Sequence, residues 1–145
     1  GVAPTDLQHL VLSHVHADSR WLEIPATRDN VGYRTPLGLE LDSKRTGGAI
    51  EQAGLEPYKP KMADEVLDCG LIVRRDIEEE WVCGIFLERT THVTNHHPAD
   101  CLHAVVNLGP VASNGKRAIR GKIYWMNAPL DEVYAHWQRD FGKKE

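Results

Sequence analysis

Apolar and polar positions alternate with a period of two along four stretches in the second half of this chain, the rhythm of half-buried β-strands. "GLIVRR" (70–75) and "EWVCGIFLERTTHV" (80–93) are joined by the acidic turn "DIEEE". "CLHAVVNL" (101–108) and "RAIRGKIYWM" (117–126) are joined by "GPVASNGK", whose Asn114-Gly115 is a strong turn signal. The rhythm then changes. In "PLDEVYAHWQRDFG", Leu130, Val133, Tyr134, Trp137 and Phe141 recur at helical spacing, and Gly142 is a natural stop. This predicts a helix over 130–141 whose Trp137 and Phe141 pack on a sheet face.

The first half is less regular. "LGLEL" (37–41) alternates and reads as a strand, "TGGAIEQAG" (46–54) as a brief helix stopped by Gly54, and the proline-bearing stretches 21–36 and 55–64 as irregular chain. Within residues 1–20, Thr5 and Gln8 form a capping-box pattern, and Leu7, Leu10, Val11 and Val15 share one helical face. "HLVLSHV" reads equally as a short strand. The expected fold is one α+β domain over 1–145: a mainly antiparallel curved sheet or half-open barrel, closed by the C-terminal helix, with an N-terminal helix as an option.

Composition narrows the function classes. Of 145 residues, 41% are hydrophobic and 26% charged, a globular balance that argues against disorder. No apolar run nears the ~20 residues of a membrane helix, and no basic stretch leads into an apolar one at the N-terminus. Seventeen basic residues against twenty-one acidic ones leave a formal charge of −4, which gives no general pull toward nucleic acid. The densest basic cluster, Lys116, Arg117, Arg120 and Lys122 beside Tyr124 and Trp125, suits an anion better than a phosphate backbone. Cys69, Cys83 and Cys101 make an odd count without CxxC spacing, which argues against a disulfide framework or a zinc ribbon and fits a cytoplasmic protein.

The chemistry-bearing stretch is "THVTNHHPADCLH" (91–103), with four histidines, an aspartate and a cysteine. If "TNHHPAD" connects a hairpin, His92 falls opposite His103, Thr90 opposite Val105 and Glu88 opposite Asn107. The following turn would bring Lys122 beside His103 and Tyr124 beside Cys101. One sheet face then gathers Glu88, His92, His103, Asn107, Arg120, Lys122 and Tyr124, opposite an apolar face carrying Trp81, Cys83, Ile85, Leu102, Ala104, Ile123 and Trp125. The plain alternative is a solvent-facing sheet surface. Against it stand Phe86 and Val105 among the polar groups, and histidines where Lys, Glu or Thr are usual.

Three functions follow as expectations. The first is a cleft for a small polar or anionic molecule. There His92 or His103 acts as acid or base, oriented by Glu88 or Asn107; Arg120 and Lys122 hold negative charge, and Tyr124 donates a hydrogen bond. The second is a metal site using His92, His96 and His103, with His97 or Asp100 nearby, since imidazoles on adjacent strands can share an ion. Pro98 forces His97 to be extended and turns it outward. The third is a non-enzymatic interaction module forming a homodimer through a sheet edge or face. No cofactor motif is legible.

A second cluster lies at "LVLSHVHAD" (10–18), which, with the preceding "GVAPTDLQH", resembles the HxHxD segment of the metallo-β-lactamase superfamily. The resemblance implies zinc ligation by His14, His16 and Asp18 in a metal-dependent hydrolase-like protein. It covers about the first eighteen residues. Ser19 stands where the family has a further histidine, no glycine-histidine turn follows downstream, and the chain is short for that family's four-layered fold. Read as a helix instead, the segment puts His14 and Asp18 one turn apart.

Overall fold

The computed structural model describes residues 11–25, 31–44, 61–76, 80–96 and 101–142. Among these residues nine strands and two helices follow in chain order: β1 (Val11–Ala17), β2 (Arg20–Ile24), β3 (Gly32–Arg34), α1 (Pro36–Ser43), β4 (Met62–Val66), β5 (Ile72–Asp76), β6 (Trp81–Leu87), β7 (Thr90–His96), β8 (Cys101–Val106), β9 (Gly121–Asn127) and α2 (Leu130–Phe141). They form two sheets. One has five antiparallel strands in the order β2-β1-β5-β6-β9; the other has four, β4-β3-β7-β8, with β3 and β4 parallel.

The period-two pattern explains the layering. On β1, Val15 and Ala17 point to one side and join Ile24 and Ile72, which pack against Tyr33, Leu67 and Val93 around the four-stranded sheet. The alternate residues of the five-stranded sheet, Val73, Val82 and Tyr124, point to the opposite side and pack beneath α2 through Val133, Leu130, Tyr134 and Trp137. Helix, sheet and sheet therefore form three layers with two cores. Phe86 meets Trp137 edge-on at 5.4 Å and Phe141 at 4.6 Å between ring centroids, so the expected aromatic stripe of 130–141 is core.

Several expectations are corrected. The fold is α+β, but its sheets are open rather than a curved sheet or half-open barrel: among the described residues β2, β9, β4 and β8 remain edges. Segment 80–93 is not one strand. Glu88 and Arg89 turn the chain from β6 in one sheet to β7 in the other, with Arg89 at φ +61°. Glu88 N–H still continues the β6–β9 ladder to Arg120 O at 2.9 Å, while Arg89 O already accepts from Asn107 N at 3.1 Å in the β7–β8 ladder. Val11–Ala17 is a strand, so the N-terminal helix fails over these residues; Thr5, Gln8 and Leu7 lie outside the described residues, as does 46–54.

"LGLEL" is helical, not extended. Thr35 caps α1, accepting from Gly38 N at 3.1 Å, and Pro36 occupies its first turn. The Thr-Pro pair outweighs the alternation that follows it. Gly38 lets α1 lie directly on β7: a Cβ there would stand 2.0 Å from Thr91 O.

Candidate functional site

The β7–β8 hairpin forms, but two residues out of the expected register. Thr94 faces His103, His92 faces Val105, and β7 runs on to His96, which faces Cys101. From His92 onward the shift of two keeps each side chain on its face; an irregularity between Thr90 and His92 sets Thr90 opposite Val106 instead of the expected Val105. His92, Thr94 and His103 therefore share the outer face of the four-stranded sheet, with Arg34 beside His92 on β3. His96 is the last residue of β7 and not a loop tip; His97, Pro98 and Asp100 lie outside the described residues.

The remaining members of the expected face are elsewhere. β9 pairs with β6, so Lys122 stands opposite Phe86 and Tyr124 opposite Gly84, neither of them near β8. On that side of the five-stranded sheet α2 supplies the cover. Arg120 donates to Glu88 through Nη2 at 2.7 Å and Nε at 2.9 Å, and its guanidinium lies 5.1 Å from the Phe141 ring centre. Lys122 Nζ and Tyr124 OH both donate to Asp140 Oδ2, at 2.7 and 2.9 Å. These are clamps between β9 and the end of α2. The Arg120 backbone and side-chain hydrogen bonds hold the Glu88 carboxyl below its usual range. Burial, then the bond to Asp140, pushes the Tyr124 hydroxyl upward. Asn107 accepts from Gly109 N at 2.8 Å and shapes the turn after β8.

His92 and His103 are thus the two proposed acid–base residues that share a face, on adjacent strands and diagonal to each other, without Glu88 or Asn107 alongside. Burial lowers the His92 pKa, partly opposed by Asp42, which is itself paired with Arg34 at 2.8 Å. His103 is exposed.

The segment resembling a zinc motif is arranged for packing. His14 and His16 point to the helix side of β1, while Asp18 lies in the β1–β2 turn at φ +53°. His16 Nδ1 lies 2.8 Å from Asp68 Oδ2, and its ring stacks on Tyr134 at 3.9 Å and meets Trp21 edge-on at 5.3 Å. Asp68 also accepts the amides of Asp18 and Ser19, at 3.1 and 2.8 Å, holding a turn whose two central residues both have positive φ. His14 is buried and its pKa lowered by that burial. Among the described residues, no three His, Cys, Asp or Glu side chains are grouped to hold a metal ion. The Cys69 thiol, pushed by burial up to about 12, is poorly suited to act as a nucleophile.

The feature that sequence reasoning assigned to the core is instead at the surface. Ile123 and Trp125 are each 68% exposed, and Trp81 on β6 is 39% exposed with its ring 6.0 Å from that of Trp125. They lie on the face of the five-stranded sheet that packs the second sheet, at the end which that sheet does not reach. A concavity of about 530 Å³ lies on the outer side of α2, lined by Glu132, Ala135, His136, Gln138 and Arg139 and by neither His92, His103 nor the residues of this shelf. Among the described residues, no helix is long and apolar enough to cross a membrane. Compared with models of protein families, with characterised proteins and with solved structures, the chain matches none of them.

Proposed function

We propose that this protein is an interaction module whose binding surface is the shelf of Trp81, Ile123 and Trp125. One observation carries this reading: two large apolar side chains, 68% exposed, stand side by side on an edge strand. Water around such a cluster is released on association, and tryptophan is enriched among the residues that dominate binding energy. Among the described residues β9 is also the last strand of its sheet, an edge to which an extended chain can add. Display selection of random peptides on the immobilised protein tests it. Extended apolar sequences should enrich on the wild type and not on Trp125→Glu; equal enrichment on both removes the proposal.

A second reading has its own support. His92 and His103 share an outer sheet face with Arg34, an arrangement that suits a small polar or anionic molecule. In a thermal-shift screen of anionic metabolites, a response reduced by His103→Ala supports this reading. An unchanged response counts against it.

A further inference from the structure

We infer that Arg89 and Arg117 form a binding site beside Gly109 for a phosphate-class oxyanion, a site that uses neither the shelf nor the histidines. Two guanidiniums from distant parts of the chain meet here. Arg89, at the step between β6 and β7, donates from Nε to Asn107 O at 2.6 Å. Arg117, ahead of β9, donates from Nη1 to Leu108 O at 3.2 Å. Both grip the turn that leaves β8, and their ends converge on Gly109. The point where a Cβ would stand on that residue lies 3.0 Å from Arg117 Nη1 and 3.6 Å from Arg89 Nη2. Gly109 has φ +76°, so its backbone as well as the space around it favours the absence of a side chain.

Like charges brought together repel, and elsewhere in this fold a carboxylate answers the guanidinium. Arg34 has Asp42 at 2.8 Å and Arg120 has Glu88 at 2.7 Å. Among the described residues, neither Arg89 nor Arg117 has an acidic partner. The two carbonyls fix the side chains in place without cancelling their charge. A guanidinium carries five N–H donors, and each of these engages only one nitrogen, so most donors are left over. Both residues are exposed, and a ligand can reach them. The basic run of the sequence is thereby divided: Glu88 and Asp140 neutralise Arg120 and Lys122, while Arg117 lies beside Arg89 with its charge unanswered. This chemistry selects the ligand. Planar guanidinium forks match phosphate oxygens, and two of them can take different oxygens of one tetrahedral anion. A bare glycine between them lets the anion approach the backbone without a clash.

The test is a titration of the full chain with inorganic phosphate at low ionic strength, where exposed charges are least screened. Backbone amide and arginine Nε–H resonances follow it, with sodium chloride at matched ionic strength as the reference. Saturable shifts should appear at Gly109, Arg89 and Arg117. Arg117→Gln should weaken binding roughly two- to fivefold, the scale of one exposed ion pair, and Arg117→Lys less. Arg20→Gln removes one positive charge from β2, at the other edge of the sheet, and should leave binding unchanged. Phenyl phosphate, run alongside, separates the two sources of the group: tighter binding assigns a phosphomonoester, equal or weaker binding a free phosphate. The wild-type shifts read the site without any substitution, so a variant that folds poorly does not shield the inference. Shifts that never saturate, that chloride reproduces, that spread evenly over the basic residues, or that Arg117→Gln and Arg20→Gln reduce alike would overturn it.

Discussion

The same face of the five-stranded sheet has two fates at its two ends. Over β1 and β5 it is dry: Val15 and Ile72 are fully buried under the second sheet. Over β9 it is wet, and Ile123 and Trp125 meet solvent. The residue types are alike and the alternation is continuous across the strands, so neither composition nor periodicity separates the two ends. The difference is the width of the cover. Among the described residues the second sheet has four strands and ends at β8, which lies over β5 and β6 and does not cover β9.

Four measurements break or sharpen this contrast. The largest effect is expected where the core is complete. Leu71→Ala, at a fully buried position under α2, should cost about 2–5 kcal/mol in chemical denaturation, from lost transfer energy and the cavity left behind. Next comes the polar seam between the sheets, where Ser13 Oγ and Arg74 Nη2 donate to the buried Asn95 Oδ1 at 2.8 and 2.6 Å. Asn95→Ala leaves those donors without that acceptor and should cost about 1–3 kcal/mol.

A smaller and pH-dependent effect comes from His14. Burial holds its folded pKa below the ordinary histidine value of 6.5, so as pH falls through 6.5 the unfolded chain takes up a proton that the folded one resists. The stability contribution is present above that pH and lost on moving down toward the folded pKa. Denaturation midpoints between neutral and mildly acid pH should fall, with a shallower slope in His14→Gln; parallel slopes would contradict this. The smallest effect belongs to the bare end. Ile123→Ala should change the stability of the monomer by within about 0.5 kcal/mol, and a loss comparable to Leu71→Ala would mean that the shelf is covered in the free chain.

Much of the architecture was legible because it is local. The helix over 130–141, the strand character of 72–76, 81–87 and 101–106, and the inward side of Leu102 and Ala104 all follow from periodicity. What periodicity does not carry is which side of a strand is covered. On β9 the alternation was read correctly and assigned the wrong way: Tyr124 was placed on the polar face and is buried under α2, whereas Trp125 was placed in the core and is bare. The Asn114-Gly115 turn is present, with Asn114 at φ +61°, yet the strands flanking it belong to different sheets. A turn signal specifies a reversal, not a pairing. The sheet-to-sheet step at Glu88–Arg89 had no proline or glycine to mark it, and this step together with the one between β8 and β9 separated Lys122 and Tyr124 from His103. Asp68, 52 residues from His16, left no local trace at all.

That one carboxylate has a wider reach than its size suggests. Asp68 grips the amides of a tight reversal and, through an imidazole, touches an aromatic ring of the last helix. Exchange of those two amides with deuterated solvent therefore reports on a helix more than a hundred positions away in the chain: lifting α2 frees the imidazole, loosens the carboxylate and unprotects the hairpin. An event at the carboxyl-terminal end can in this way be read at Asp18 and Ser19.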